Sequence, residues 1–309
     1  MSDRRWFLKT AALGAASAYA EVAAATVTPP ALQEEADTAS VSGEQLVVGL
    51  MGDPQLVMTP DTPAHVKAAM EDLATLPHDF LAVLGDLAQN NAKFYADYLH
   101  AVVSASRVPV FSLAGNGDLG AGLDAYEKAT GLPLYYRIYR RGIRFLFTST
   151  ISMTGKALHI CGLEAEQLAW LEKELANDTE STTVIFSHPP VFETTWHSED
   201  RADQPFPGSM YLKESAEVRA LLTKHGNVKV FAHGHLHHAY GIKDEHGRGG
   251  YHREGNVLHI SVGATANGQG SSFLYIGEEG IQVKVRDHAQ HAWRDAFART
   301  YPVKTTLRR

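Results

Sequence analysis

Five short apolar runs punctuate the chain, each followed at once by a residue carrying an oxygen or nitrogen donor. Val47-Val48-Gly49-Leu50-Met51 precedes Gly52-Asp53-Pro54-Gln55, and Phe80-Leu81-Ala82-Val83-Leu84 precedes Gly85-Asp86. Val110-Phe111-Ser112-Leu113-Ala114 runs into Gly115-Asn116-Gly117-Asp118, and Val184-Ile185-Phe186-Ser187 into His188. The last, beginning at Val228, ends in Ala232-His233-Gly234-His235-Leu236-His237-His238. Runs of this length bounded by turn residues read as buried strands. Between the first two, Val66, Met70, Leu73 and Leu76 recur at intervals of four and three, predicting a helix that opens at Thr62-Pro63 and stops at Pro77. Phe94, Tyr98, Val102 and Val103 predict a second over 91–106. Connections long enough to cross over imply parallel strands.

The middle of the chain reads differently. A short helix over 123–130 stops at Gly131, and 135–139 and 143–147 flank Arg140-Arg141-Gly142 as a hairpin. Leu168, Leu171 and Leu175 mark a helix over 163–177, and another over 214–225 is closed by Gly226. Strands are expected at 257–262, 273–276 and 281–285. This pattern defines an α/β domain over 45–285, followed by a basic and aromatic extension, 286–309, expected as a short helix packed on the domain or partly disordered.

The N-terminus carries a separate message. Arg4-Arg5-Trp6-Phe7-Leu8-Lys9 precedes an uncharged, alanine-rich stretch over 10–20, which reads as a twin-arginine export signal over 1–25. The stretch is shorter than the ~20 apolar residues a membrane span needs. Ala18-Tyr19-Ala20 and Ala23-Ala24-Ala25 both offer a small-x-small cleavage pattern, the second being preferred, and residues 26–44 read as a flexible linker. The expected location is periplasmic or otherwise exported, with the export machinery as a partner and no stable span after cleavage; an uncleaved leader would tether the domain.

Cys161 is the single cysteine, so no internal disulfide forms, consistent with folding in a reducing compartment before export. Cleavage after Ala25 removes three basic and two acidic residues and makes the formal charge of −7 one unit more negative. An acidic protein lacks the basic footprint of a nucleic-acid binder.

Ligands of open sheets sit beyond the carboxyl ends of strands, so Asp53, Gln55, Asp86, Asn116, His188, His235 and His237 are expected on one rim. Imidazole, carboxylate and amide donors without thiolate suit zinc, iron or manganese. Seven donors exceed one tetrahedral ion but fit a pair sharing a carboxylate, the arrangement used for displacement at phosphorus.

The ordered series Asp-x-Gln, Gly-Asp, Gly-Asn-x-Asp, His and Gly-His-x-His resembles the calcineurin-like metallophosphoesterase superfamily, in the branch of cyclic-nucleotide phosphodiesterase-like and purple-acid-phosphatase-like enzymes. The resemblance covers roughly 46–285 and implies two packed mixed β-sheets flanked by helices, a four-layer sandwich, with two metal ions. It places Asp53, Gln55, Asp86 and His237 on the first ion and Asp86, Asn116, His188 and His235 on the second, with Asp86 bridging. It implies a metal-activated hydroxide attacking a small phosphate ester.

Two positions depart from the pattern. Gln55 stands where the family most often has histidine, and Gly117 where it has the histidine that protonates the leaving oxygen. The catalytic acid is therefore unassigned, with His233, His238 and His197 as candidate substitutes. Two readings follow: a phosphodiesterase or phosphomonoesterase lacking the usual acid, or a degenerate member keeping metals for structure or ligand binding. The long connection over 191–211, with Trp196, His197, Asp200, Arg201, Phe206 and Tyr211, is a candidate substrate loop, and 263–272 a candidate rim.

Overall fold

The computed structural model describes residues 44–154, 160–195, 210–237 and 250–308. The proposed leader, the proposed linker up to residue 43, and Trp196, His197, Asp200, Arg201, Phe206 and His238 lie outside the described residues.

Two mixed sheets pack face to face. The first is ordered β14 (Ala292–Trp293), β13 (Gly280–Asp287), β12 (Ser271–Gly277), β1 (Leu46–Met51), β2 (Phe80–Val83), β3 (Val110–Ser112), with β15 (Arg299–Tyr301) also on β13; the second is ordered β10 (Tyr251–Glu254), β11 (Val257–Ser261), β9 (Val228–His233), β8 (Thr183–Ser187), β5 (Ile143–Thr148), β4 (Tyr135–Arg140). In the first, β1 (Leu46–Met51), β2 (Phe80–Val83) and β3 (Val110–Ser112) run parallel, and β12 (Ser271–Gly277) and β13 (Gly280–Asp287) continue antiparallel. In the second, β5 (Ile143–Thr148), β8 (Thr183–Ser187), β9 (Val228–His233) and β11 (Val257–Ser261) are parallel neighbours, edged by antiparallel β4 (Tyr135–Arg140) and β10 (Tyr251–Glu254). Each sheet thus contributes parallel strands that end on the same side. A small pair, β6 (Ser152–Thr154) and β7 (Ile160–Gly162), lies apart.

The unbroken apolar runs follow from burial on both faces. Phe145, Phe147, Val184 and Phe186 face the other sheet, where Phe80 meets Phe145 edge-on at 5.0 Å between ring centroids. Alternate residues Leu146, Ile185 and Phe231 face outward against Leu171 and Leu175 of α5 (Glu164–Asn177) and Val218, Leu221 and Leu222 of α6 (Ser215–Lys224). Each buried aromatic contributes roughly 1.5–3 kcal/mol. Arg144 is fully buried among them because its guanidinium is spent on the carbonyls of Glu174 and Asp178, at the end of α5, and on the Thr183 hydroxyl.

The helices differ in detail from their periodicity. The first, α1 (Thr62–Leu73), ends before Leu76. The second is shorter than 91–106: α2 (Phe94–Tyr98) passes into a π-helical turn over Leu99–Val103, where Ser104 N–H reaches back to the Leu99 carbonyl at 2.8 Å. Tyr95, Tyr98 and Val102 stay buried at intervals of three and four, and Val103 is half-buried against the same core. A four-residue α3 (Asn116–Leu119) and α4 (Leu123–Thr130) complete the first half, and Gly131 ends α4 in the left-handed conformation. The extension expected as a helix forms β14 (Ala292–Trp293) and β15 (Arg299–Tyr301) on β13, separated by one 3-10 turn. The edge of the first sheet offered unpaired backbone groups, and satisfying them outweighed the weak helical pattern.

Candidate metal centre

The rim forms where β1, β2 and β3 of one sheet and β8 and β9 of the other release their chains. Five of its residues hold a left-handed backbone: Asp53 (φ 45°), Gln55 (30°), Asp86 (56°), His235 (68°) and His237 (60°). Such conformations cost about 1–3 kcal/mol each and persist only when neighbours over-determine them. The bracing is visible. Thr265 N–H bonds the Gly52 carbonyl at 2.8 Å, Ala266 N–H the Asp53 carbonyl at 3.1 Å, and Gln55 N–H the Asp86 carbonyl at 3.1 Å. Gly85 (φ +92°) and Gly234 allow the close approach, since a Cβ on Gly85 would collide with the His188 ring and one on Gly234 would stand 2.7 Å from Asp53 Oδ2.

Donor atoms then converge. Ligand atoms of Asp53, Asp86 and His237 all lie within 4.8 Å of one another, and His237 Nε2 is 3.3 Å from Asp53 Oδ1. Next to them, His188 Nε2 lies 3.0 Å from Asn116 Oδ1, 3.2 Å from Asp86 Oδ1 and 3.1 Å from His235 Nδ1. His188 Nδ1 faces the Leu84 carbonyl at 2.8 Å. A carbonyl only accepts, so Nδ1 carries a proton, and in the neutral ring Nε2 offers a lone pair to the cluster. That lone pair and the oxygens of Asp86 and Asn116 are acceptors crowded together. Gln55 donates from Nε2 to Asp86 Oδ2, while its own Oε1 is buried with no hydrogen-bond partner among the described residues. A cation satisfies all of these atoms at once, so the residues present fit a metal.

The electrostatics agree. Burial works against the charge of Asp53, but the imidazoles of His237, His188 and His235 outweigh it and hold the carboxyl below its ordinary value. Burial pushes Asp86 the other way, opposed by His188 and reinforced by the Asp53 charge. Asp118, buried behind Asp86, is pushed up to about 7 by burial and by the Asp86 charge. Three carboxyls buried together repel one another, and a bound cation would relieve that repulsion.

Of the residues expected on the rim, Asp53, Gln55, Asp86 and His237 lie together in a carboxylate group, and His188, His235 and Asn116 in a neighbouring imidazole group. Gly117 presents only its amide, which donates to Asp86 Oδ1 at 2.7 Å. His233 is fully buried, bonds Thr195 and the Gly234 carbonyl, and is pushed down to about 4 by burial. A neutral, enclosed imidazole is a poor acid for a leaving group, which removes His233 from that role on physical grounds. Tyr211 packs on Phe192 at 4.5 Å. Sequence reasoning missed the clamp formed by Asp118, which accepts from the amides of Leu87, Ala88 and Gly115 at 2.8–3.1 Å. Its signal was an acidic residue three positions after a strand-ending glycine, the spacing of a helix-start cap.

Two packed mixed sheets flanked by helices, with a carboxylate and imidazole rim at the strand ends, define a metal-binding α/β sandwich. The sequence profile described as calcineurin-like phosphoesterase matches residues 46–239, and the chain belongs to that family. A Fibrobacter succinogenes protein named a probable cyclic nucleotide phosphodiesterase is 28% identical over 179 residues, 56% of this chain and 61% of that protein. One from Synechococcus with the same description is 24% identical over 195 residues, 62% and 71% of the two chains. A dimetal phosphatase from Danio rerio superimposes with a TM-score of 0.61 at 15% identity, covering 83% of this chain and 98% of its own. A purple acid phosphatase from yellow lupin gives 0.57 at 14%, covering 84% and 54%. These two structures share the fold.

Proposed function

We propose that the chain is an exported hydrolase of phosphoric esters that works with two metal ions. The observation that carries this reading is the crowding of His188 Nε2, Asp86 Oδ1 and Asn116 Oδ1 within 3.0–3.2 Å, all of them acceptors when the imidazole is neutral. Asp53, Gln55, Asp86 and His237 would hold one ion, and Asp86, Asn116, His188 and His235 the other. Bound ions supply Lewis-acid polarisation of a phosphoryl oxygen and acidify water, so that a nucleophile exists near neutral pH. Zinc, iron and manganese all suit this donor set.

The chain's own residues do the rest. Asp86 is fixed by the Gly117 amide and by Gln55, so its carboxylate is oriented before any substrate arrives. The leaving oxygen meets no imidazole at position 117. Aryl esters, whose leaving groups need little protonation, are therefore the favoured substrates. Cyclic nucleotides, suggested by the names of the relatives, release an alkoxide and make a harder test of the site. His197 and His238 stay as candidate proton donors for such esters.

The second reading, a member that holds metals without turning over substrate, is favoured only by Gly117 and Gln55. Hydrolysis of bis-p-nitrophenyl phosphate and p-nitrophenyl phosphate with manganese, iron or zinc separates the two. Metal-dependent turnover that vanishes in Asp86→Ala supports the hydrolase; metal binding without turnover supports the alternative. Export rests on Arg4-Arg5 and the leader that follows, and no helix among the described residues is long and apolar enough to cross a membrane. Retention of an Arg4→Lys, Arg5→Lys variant in the cytoplasm is the expected outcome, and unaltered export would remove the twin-arginine assignment.

A further inference from the structure

We infer that His233 and Thr195 form a positioning strut for the metal centre, tying the loop that leaves His188 to the turn that carries His235 and His237. Ser187 and His233 are paired at the last rung of the β8–β9 ladder. Past that rung no ladder bond fixes His188 relative to His235, although their facing nitrogens must stay 3.1 Å apart. The strut spans this gap. His233 Nδ1 lies 2.9 Å from the Gly234 carbonyl, which only accepts, so Nδ1 carries the ring proton. Nε2 is then a lone pair, and it takes the Thr195 hydroxyl at 2.6 Å.

Both ends are anchored. On one side, Val262 N–H bonds the His233 carbonyl at 2.8 Å. On the other, the loop up to Thr195 is held by Phe192 N–H on Ser215 Oγ at 2.9 Å, by Arg219 on the Phe192 carbonyl at 2.6 Å, and by Thr194 Oγ1 on the Val191 carbonyl at 2.7 Å. The ring is fully buried and spends both nitrogens inside the protein. Its chemistry is that of a rigid two-ended connector between two ligand-bearing segments, and its effect reaches any bound ion only through His188 and His235.

The inference rests on the metal centre proposed above but is tested without activity. The metal-free full-length chain is titrated with cobalt(II), followed by visible absorption and elemental stoichiometry. Thr195→Val keeps the shape and removes the hydroxyl, and Thr195→Ser restores it; His233→Phe removes the other partner. We expect Thr195→Val to weaken one of two cobalt sites about tenfold, in the range of outer partners of metal ligands, and to alter its visible band. Thr195→Ser should match wild type, and the thermal midpoint of the metal-free chain should be unchanged. Wild-type affinity and spectrum in Thr195→Val would overturn the strut alone. A wild-type chain that binds no cobalt would overturn the metal centre and the strut together.

Discussion

The amide of Gly117 donates to Asp86 Oδ1 at 2.7 Å, and a Cβ built on Gly117 would stand 3.1 Å from that same oxygen. Position 117 therefore does two jobs in this chain: it orients the shared carboxylate and keeps clear of it. Any side chain there must displace Asp86 by a few tenths of an ångström.

Two substitutions separate these effects. Gly117→Ala adds the crowding without a proton donor and is expected to weaken metal retention while leaving the ratio of alkyl to aryl phosphate turnover unchanged. Gly117→His adds the donor as well. General-acid catalysis is worth ~10²–10⁴ in rate, so we expect that ratio to rise at least about tenfold over Gly117→Ala. An unchanged ratio in steady-state assays means the missing acid is not what sets substrate preference.

Asp86 carries a cost in the metal-free protein, since burial and Asp53 both raise its pKa and its charge adds to the burial that pushes Asp118 up to about 7. Asp86→Asn should accordingly raise the thermal midpoint of the chelator-treated chain. The same change should abolish the increment on adding manganese or zinc, which for an intact site at a hundredfold excess over Kd is about 2.7 kcal/mol. Calorimetry of the four states checks both signs, and a metal increment surviving in Asp86→Asn would remove that residue from the centre.

These dependencies show what the sequence made legible. Asp53, Asp86, Asn116, His188, His235 and His237 could be placed because each follows an apolar run that is itself buried on both faces, so the strand end and the donor are read together. The braces could not. Ala266 N–H on Asp53 joins positions more than two hundred residues apart, and Thr195 on His233 links a loop to a strand end; neither leaves a periodic trace. The π-helical turn after Tyr98 and the strands Ala292–Trp293 and Arg299–Tyr301 were hidden for a related reason: their conformation is set by neighbouring elements rather than by local spacing.

His259 gives the protein an acid-sensitive core. It is fully buried on β11, neither ring nitrogen has a hydrogen-bond partner among the described residues, the Glu254 carboxylate stays 3.8 Å from Nε2, and burial, with His233, His252 and Arg219 nearby, pushes it down to about 3. A base with a depressed folded pKa contributes stability above its unfolded value, about 6.5, that is lost as pH falls toward the folded value. Urea unfolding should therefore show stability declining from pH 6.5 toward 4, with a shallower decline in His259→Phe. Parallel profiles for the two proteins would exclude His259 as the source.

Asp72 on α1 holds the C-terminal extension to the body. Its buried carboxylate receives Arg286 through two bonds of 2.8 and 2.9 Å, His288 at 2.9 Å and His291 at 2.7 Å. His288 passes on to Ser271 Oγ at 2.9 Å, so Asp72, His288 and Ser271 share the connectivity of a hydrolase triad. Ser271 is fully buried and Arg286 already neutralises Asp72, so the arrangement fits a clasp rather than a nucleophile. Removing one member of a buried pair strands the other and costs about 3–5 kcal/mol. Asp72→Asn should lose stability on that scale, and Asp72→Asn combined with Arg286→Met should recover part of it, because the stranded guanidinium is gone. A serine-directed fluorophosphonate should leave Ser271 unlabelled; labelling there, or strict additivity of the two substitutions in a double-mutant cycle, would contradict the clasp.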